Sequence, residues 1–132
     1  MSLAGKYQNI SNEGFLEHFT ANGLPADRAK QILENTKNIE IIISDDNITI
    51  TRGGKLNSTT HLINNKETTE SAPDGKVFKH FTVLNGNTLT IDSGNDEFKW
   101  KRIYSLSGPE LTLRSISSKD GVPDGIRIYK KL

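Results

Sequence analysis

The chain has 132 residues and a mass of 14.7 kDa, the size of a single domain. Lys and Arg number 17 against 16 Asp and Glu, a formal charge of +1 that argues against a nucleic-acid-binding arm or a polybasic membrane anchor. There is no cysteine, hence no disulfide framework or thiolate metal site, and only 33% of residues are hydrophobic, which is lean for a filled core.

The opening residues, Met1 to Lys6, offer no apolar stretch of signal-peptide length, and no run of about 18 apolar residues occurs anywhere. A cytoplasmic location is the expectation. Lys6 to Ile10 reads as a strand. Between Asn12 and Asn35 the spacing turns helical: Phe15, Leu16 and Phe19 make one stripe, and Ala29, Ile32 and Leu33 make another. Gly23-Leu24-Pro25 separates them, since glycine ends a helix cheaply and proline suits the first turn of the next. From Ile39 onward, period-2 alternation is broken by turn residues about every 8–12 positions, the spacing of an all-β sandwich or barrel. Asn85-Gly86 is the strongest turn signal, read as a type I′ hairpin. About ten antiparallel strands on so few apolar residues predict an up-and-down β-barrel with a cavity, its mouth covered by a helix-turn-helix lid.

Strand alternation sorts the wall residues. Phe98, Trp100, Arg102, Tyr104 and Leu106 share one face and are expected inside. In the last strand Arg127, Tyr129 and Lys131 alternate with Ile126, Ile128 and Lys130, and alternation alone leaves the inner face open. His61 shares the parity of Thr59 and Ile63, and Lys79 that of Val77, Phe81 and Val83. Both are candidates to look into the cavity, with solvated side chains as the alternative. The three histidines, His18, His61 and His80, lie on different elements with no metal-binding spacing and no partner apparent from sequence. No metal and no cofactor is expected.

The chain resembles the cytosolic fatty-acid-binding proteins of the intracellular lipid-binding family. Gly5-Lys6-Tyr7 is similar to the family's opening Gly-x-aromatic. Asn12-Glu13-Gly14-Phe15 resembles its Glu-Asn-Phe motif with Gly14 in place of Asn, and Gly23-Leu24-Pro25 the helix corner of the liver-type branch. Ile48-Thr49-Ile50-Thr51, Leu56-Asn57-Ser58-Thr59, Asp74-Gly75-Lys76, Leu84-Asn85-Gly86 and Arg127-Ile128-Tyr129 follow at family spacings. The resemblance covers essentially the whole chain, residues 1–132, as one lipid-binding domain. It implies a ten-stranded β-clam and an inward Arg127 and Tyr129 holding a ligand carboxylate. Two departures stand out. Tyr104 occupies the position of the family's second arginine, with Arg102 two residues earlier as its substitute, and the connection from Ser117 to Gly125 is about three residues long for the family.

The expected function is therefore a non-enzymatic, monomeric carrier of a long-chain fatty acid, with retinoic acid or a bile acid as the alternative ligand. Trp100 is expected to line the cavity and Leu56 to gate it. Arg28, Lys30 and Lys37 on the second helix are candidates for transient membrane contact. An enzyme acting on a lipid would need a nucleophile-base pair or paired carboxylates inside the barrel, and no inward Asp or Glu emerges from the pattern. A protein-interaction module explains Arg102 and Arg127 less well.

Overall fold

A computed structural model of the chain describes residues 2–53, 59–71, 75–96 and 98–132. The first strand, β1 (Gly5–Glu13), leads into two short helices, α1 (Phe15–Ala21) and α2 (Ala26–Asn35). Nine strands follow: β2 (Asn38–Ser44), β3 (Asn47–Arg52), β4 (Thr59–Ile63), β5 (Glu67–Ser71), β6 (Val77–Asn85), β7 (Thr88–Gly94), β8 (Lys99–Ser107), β9 (Glu110–Ser117) and β10 (Gly125–Lys131). All ten pair in one antiparallel sheet of order β4-β3-β2-β1-β10-β9-β8-β7-β6-β5. Joining β1 to β10 curls this sheet into a nearly closed barrel, the β-clam, with the helix pair as its lid. Across the seam between β4 and β5, Asn64 bridges Thr82 and its side-chain oxygen accepts the Leu84 N–H at 2.8 Å.

Isoleucine alternation builds one wall: Ile39 and Ile41 on β2 and Ile48 and Ile50 on β3 all lie within the buried core, as do Leu89, Ile91, Leu111 and Leu113 opposite. Two strands face the other way from their sequence expectation. On β6 the inner residues are His80 and Thr82, whereas Val77, Lys79, Phe81 and Val83 are exposed. On β4 Thr60 and Leu62 are buried and His61 is exposed. The cause is cross-strand pairing, because directly opposed residues share a face. Leu84 and Thr82 pair with the buried Leu89 and Ile91, and Leu62 and Thr60 with the buried Ile48 and Ile50. The β6–β7 hairpin also turns one residue later than expected. Asn85 pairs with Thr88, so Gly86, at φ +62°, is the first central residue, the glycine position of a type II′ turn.

The lid halves are held differently. The long β9–β10 connection runs along α1 as a strap: Ser117 Oγ donates to Asn22 Oδ1 at 2.7 Å and Lys119 Nζ to the Ala21 carbonyl at 3.1 Å. The buried His18 ring donates from Nδ1 to the Pro123 carbonyl at 2.8 Å, leaving Nε2 to accept the Ser115 hydroxyl at 3.0 Å in the neutral ring. Before α1 stands Gly14, at φ +68°, where a Cβ would meet the Asp124 carbonyl at 2.8 Å. Any side chain there would collide with the strap. Gly14 and the long connection, both departures from the family pattern, fit each other.

Candidate functional site

Between the lid and the inner wall lies a pocket of about 640 Å³, within the range of small-molecule sites. Phe15, Phe19, Ile32 and Leu33 of the helices roof it, and Phe78, Phe98, Trp100 and Leu113 line its apolar wall. Its polar groups include Arg52 from β3, Arg102 and Tyr104 from β8, and Arg127 and Tyr129 from β10, beside His18, Asn22, Thr36, Lys76 and Ser115, with no Asp or Glu among the described lining residues.

Arg127 is 2% exposed and is tied to the lid by all three of its nitrogens. Nε donates to Asn12 Oδ1 at 2.6 Å, Nη1 to Thr36 Oγ1, and Nη2 to the Leu33 carbonyl at 3.0 Å. Those acceptors lie at the C-terminal end of α2 and on β1. Three of the five guanidinium hydrogens are thereby used, so one remains on each Nη. Tyr129, 1% exposed, donates its hydroxyl to the Thr36 carbonyl at 3.0 Å, and burial raises its pKa above the usual phenol value. The Arg127 guanidinium also lies over the Tyr129 ring, 5.4 Å from its centre.

Arg102 borders the pocket, yet its Nε is enclosed and has no hydrogen-bond partner. Burial and the nearby Arg52 push its pKa below the ordinary guanidinium value. Tyr104 is 2% exposed beside it. Trp100 stacks on Phe98 at 5.4 Å and meets Phe78 edge-on at 5.3 Å, so it belongs to the apolar wall. The fold thus brings together Trp100, Arg102 and Tyr104, which alternation placed inside, with Arg127 and Tyr129, which only the resemblance did. It does not bring His61, whose ring lies outside against Thr49 Oγ1 at 3.5 Å, and Lys79 faces outward towards Glu67. Leu56 lies outside the described residues.

Sequence reading missed one inner cluster. His80, 3% exposed, shares a hydrogen bond with Ser93 Oγ at 2.6 Å through Nδ1 and with Glu70 Oε2 at 2.8 Å through Nε2. Glu70 pairs with Phe78 across β5–β6 and so is an inward carboxylate, and the histidines do have partners, contrary to expectation. The pairing of His80 with Ser93 was recoverable by setting β6 against the Leu89–Ile91 alternation of β7. The connectivity is that of a serine, a base and a carboxylate, but neither Ser93 nor His80 borders the pocket under the lid, and Ser93 lies instead on the lining of a second groove.

Desolvation first, then the charges of Arg102 and Arg52, lower the His80 pKa against the opposing pull of Glu70. A folded-state pKa below the unfolded value near 6.5 means that the unfolded chain binds the proton more readily. The associated stability is complete above that value and is lost as pH falls through it. Wild-type protein is therefore expected to lose thermal stability between pH 7.5 and pH 5, and H80Q to lose less over the same range in parallel melts. Equal slopes would exclude His80 as the titrating group.

A second groove, of about 730 Å³, runs along the outer wall past Val77, Lys79, Phe81, Asp92 and Lys101. Four of its charges pair, Lys79 with Glu67 at 3.8 Å and Lys101 with Asp92 at 3.6 Å, and Asp96 and Lys99 also lie on its lining. Its lining includes the buried Ser93, whose hydroxyl is already engaged by His80.

No protein-family profile matches the chain. A liver-type fatty acid-binding protein from Takifugu rubripes is 38% identical over 93 residues, which span 69% of this chain and 74% of that protein. The chain belongs to the fatty-acid-binding protein family. Solved structures agree on the fold at lower identity. The REP1-NXSQ fatty acid transporter superposes with a TM-score of 0.84 at 21% identity, covering 98% of this chain and 96% of its own. A fatty acid-binding protein from brain tissue of Drosophila melanogaster gives a TM-score of 0.82 at 24% identity, covering 98% and 99%. In this fatty-acid-binding protein Arg127 and Tyr129 both line the pocket under the lid. Among the described residues, no helix is long and apolar enough to cross a membrane.

Proposed function

We propose that this fatty-acid-binding protein is a non-enzymatic, cytoplasmic carrier that encloses a long-chain fatty acid between lid and barrel, with the carboxylate on Arg127 and Tyr129. The observation that carries this reading is a guanidinium 2% exposed in the wall of a pocket with an apolar roof and an aromatic wall, with two N–H groups left to offer. The tail supplies the larger share of affinity. Each buried methylene contributes about 0.8 kcal/mol, so ten give roughly 8 kcal/mol before ordering costs. The carboxylate cannot be buried unpaired, and Arg127 offers it a planar, two-pronged partner. Tyr129 already donates to the Thr36 carbonyl, so a carboxylate takes its hydroxyl only in exchange for that contact. Head-group capture and the C-terminal end of α2 are therefore in competition.

Native mass spectrometry of protein purified from cells tests the carrier reading directly. The expected result is a retained mass matching a long-chain fatty acid. A retinoid or bile-acid mass would keep the carrier and change its ligand. No retained lipid, together with no uptake of added oleate, would overturn the reading.

A further inference from the structure

Three guanidinium groups, those of Arg52, Arg102 and Arg127, border one pocket, and the described lining residues include no carboxylate. The ion pairs among the described residues involve none of the three. Glu70, the inward acid, attracts the Arg102 guanidinium, but it is half exposed, is hydrogen-bonded to His80 and forms no ion pair with any of the three. Arg127 is satisfied by the lid, whereas Arg102 is not: its Nε is enclosed without a partner. That Nε is closed to the pocket, so an anion would meet the Arg102 guanidinium only through the part that borders the pocket.

The arginines also stand apart. Arg102 pairs with Ser115, which pairs with Gly125, while Arg127 lies two residues beyond Gly125 on β10. That places their Cα atoms about 10 Å apart across the sheet and about 7 Å apart along it. Arg52 rises from β3 and donates to Thr60 Oγ1 at 2.8 Å, close enough to Arg102 to disfavour its charge. A fatty acid whose carboxylate sits on Arg127 would leave Arg52 and Arg102 facing hydrocarbon. Neutralising one guanidinium leaves two like charges in a poorly solvated space.

We propose that the pocket takes a lipid with two acidic groups, the first on Arg127 and Tyr129 and the second on Arg102 and Arg52, with hydrocarbon between them against Phe98 and Trp100. This deepens the carrier reading and rests on it. The two acids add countercharge to what the half-exposed Glu70 supplies, the second on the side of the Arg102 guanidinium that borders the pocket.

Calorimetric titration of wild-type protein with palmitate and with hexadecanedioate, chains of equal length ending in one acid or two, decides the matter. The diacid is expected to bind at least tenfold more tightly. In a pocket with an apolar far end the order reverses, and tighter palmitate binding would overturn the inference while leaving the carrier intact. R102Q and R52Q are each expected to cut the diacid preference at least fivefold, with thermal melts confirming their fold. A preference that survives both would overturn the assignment to these arginines. Hexadecyl phosphate carries two charges on one head; tighter binding than the diacid would overturn the separated arrangement. Failure of palmitate and diacid alike would remove the carrier reading and the inference together.

Discussion

Exchange of Arg127 for alanine is expected to weaken oleate binding between about tenfold and about a hundredfold, and to narrow the difference between oleate and oleyl alcohol. A charge-assisted hydrogen bond contributes about 1.5–3 kcal/mol, and 1.4 kcal/mol is a factor of ten. The alcohol loses less because it never had the ionic partner. Hydrocarbon burial is untouched, so the variant still binds, with its preference for acids reduced. Arg127→Lys is expected to fall between, since an ammonium keeps the charge and loses the planar fork. Isothermal titration with both ligands measures the effect, and unchanged affinity for both would exclude Arg127 as the head-group partner.

The same substitution acts on the lid. Asn12 Oδ1, Thr36 Oγ1 and the Leu33 carbonyl all lose their donor at once. Complete desolvation of those acceptors would cost about 1–3 kcal/mol each, but the vacated volume opens to the pocket and admits water. The expected stability loss is therefore nearer the cost of one such group than of three. Amide exchange at residues 33–37 is expected to quicken in the variant. If a carboxylate displaces Thr36 from Tyr129, oleate should quicken exchange at the same amides in the wild type, a link between site and lid that a rigid pocket would lack.

What the sequence made legible follows from how many independent constraints each strand carries. Ile39, Ile41, Ile48 and Ile50 alternate without competition, and the stretch from Phe98 to Leu106 has four aromatic or apolar residues on one face, so their inward sides could be read directly. On β10 the isoleucines Ile126 and Ile128 compete with Arg127 and Tyr129 for the inner face, and only the resemblance decided between them. On β6 Phe78 and Leu84 oppose Val77, Phe81 and Val83. Apolar content points to the wrong side, because the face is set by pairing with Leu89 and Ile91, a non-local fact. His61 on β4 fails for the same reason. The His80 cluster and the strap on α1 join residues of different elements through side chains, which no local period encodes.

Gly125→Val is expected to unseat the lid. A Cβ at this position would lie 2.8 Å from Cδ2 and Cγ of Phe15 and 3.1 Å from its Cα. Phe15 cannot swing clear: it is 5% exposed and packs on Phe19 at 5.3 Å and His18 at 5.8 Å. The backbone of α1 must move instead, against the strap that His18, Asn22 and Ala21 hold. Overpacking of this kind costs about 1–3 kcal/mol, and a contact reaching the helix backbone belongs at the upper end. At roughly 4 °C for each kcal/mol, the melting temperature should fall by about 10 °C, and bound oleate should leave faster through the loosened roof. Gly53→Ala is the control, because its added Cβ meets only ordinary contacts at 3.7 Å and 3.9 Å, and a change within about 0.5 kcal/mol is expected. Phe15→Leu removes the ring atoms that the new side chain strikes, so the double variant should be more stable than the sum of the two single losses. Additive losses, or a wild-type melt and oleate release rate in Gly125→Val, would mean that Phe15 does not seat on this glycine.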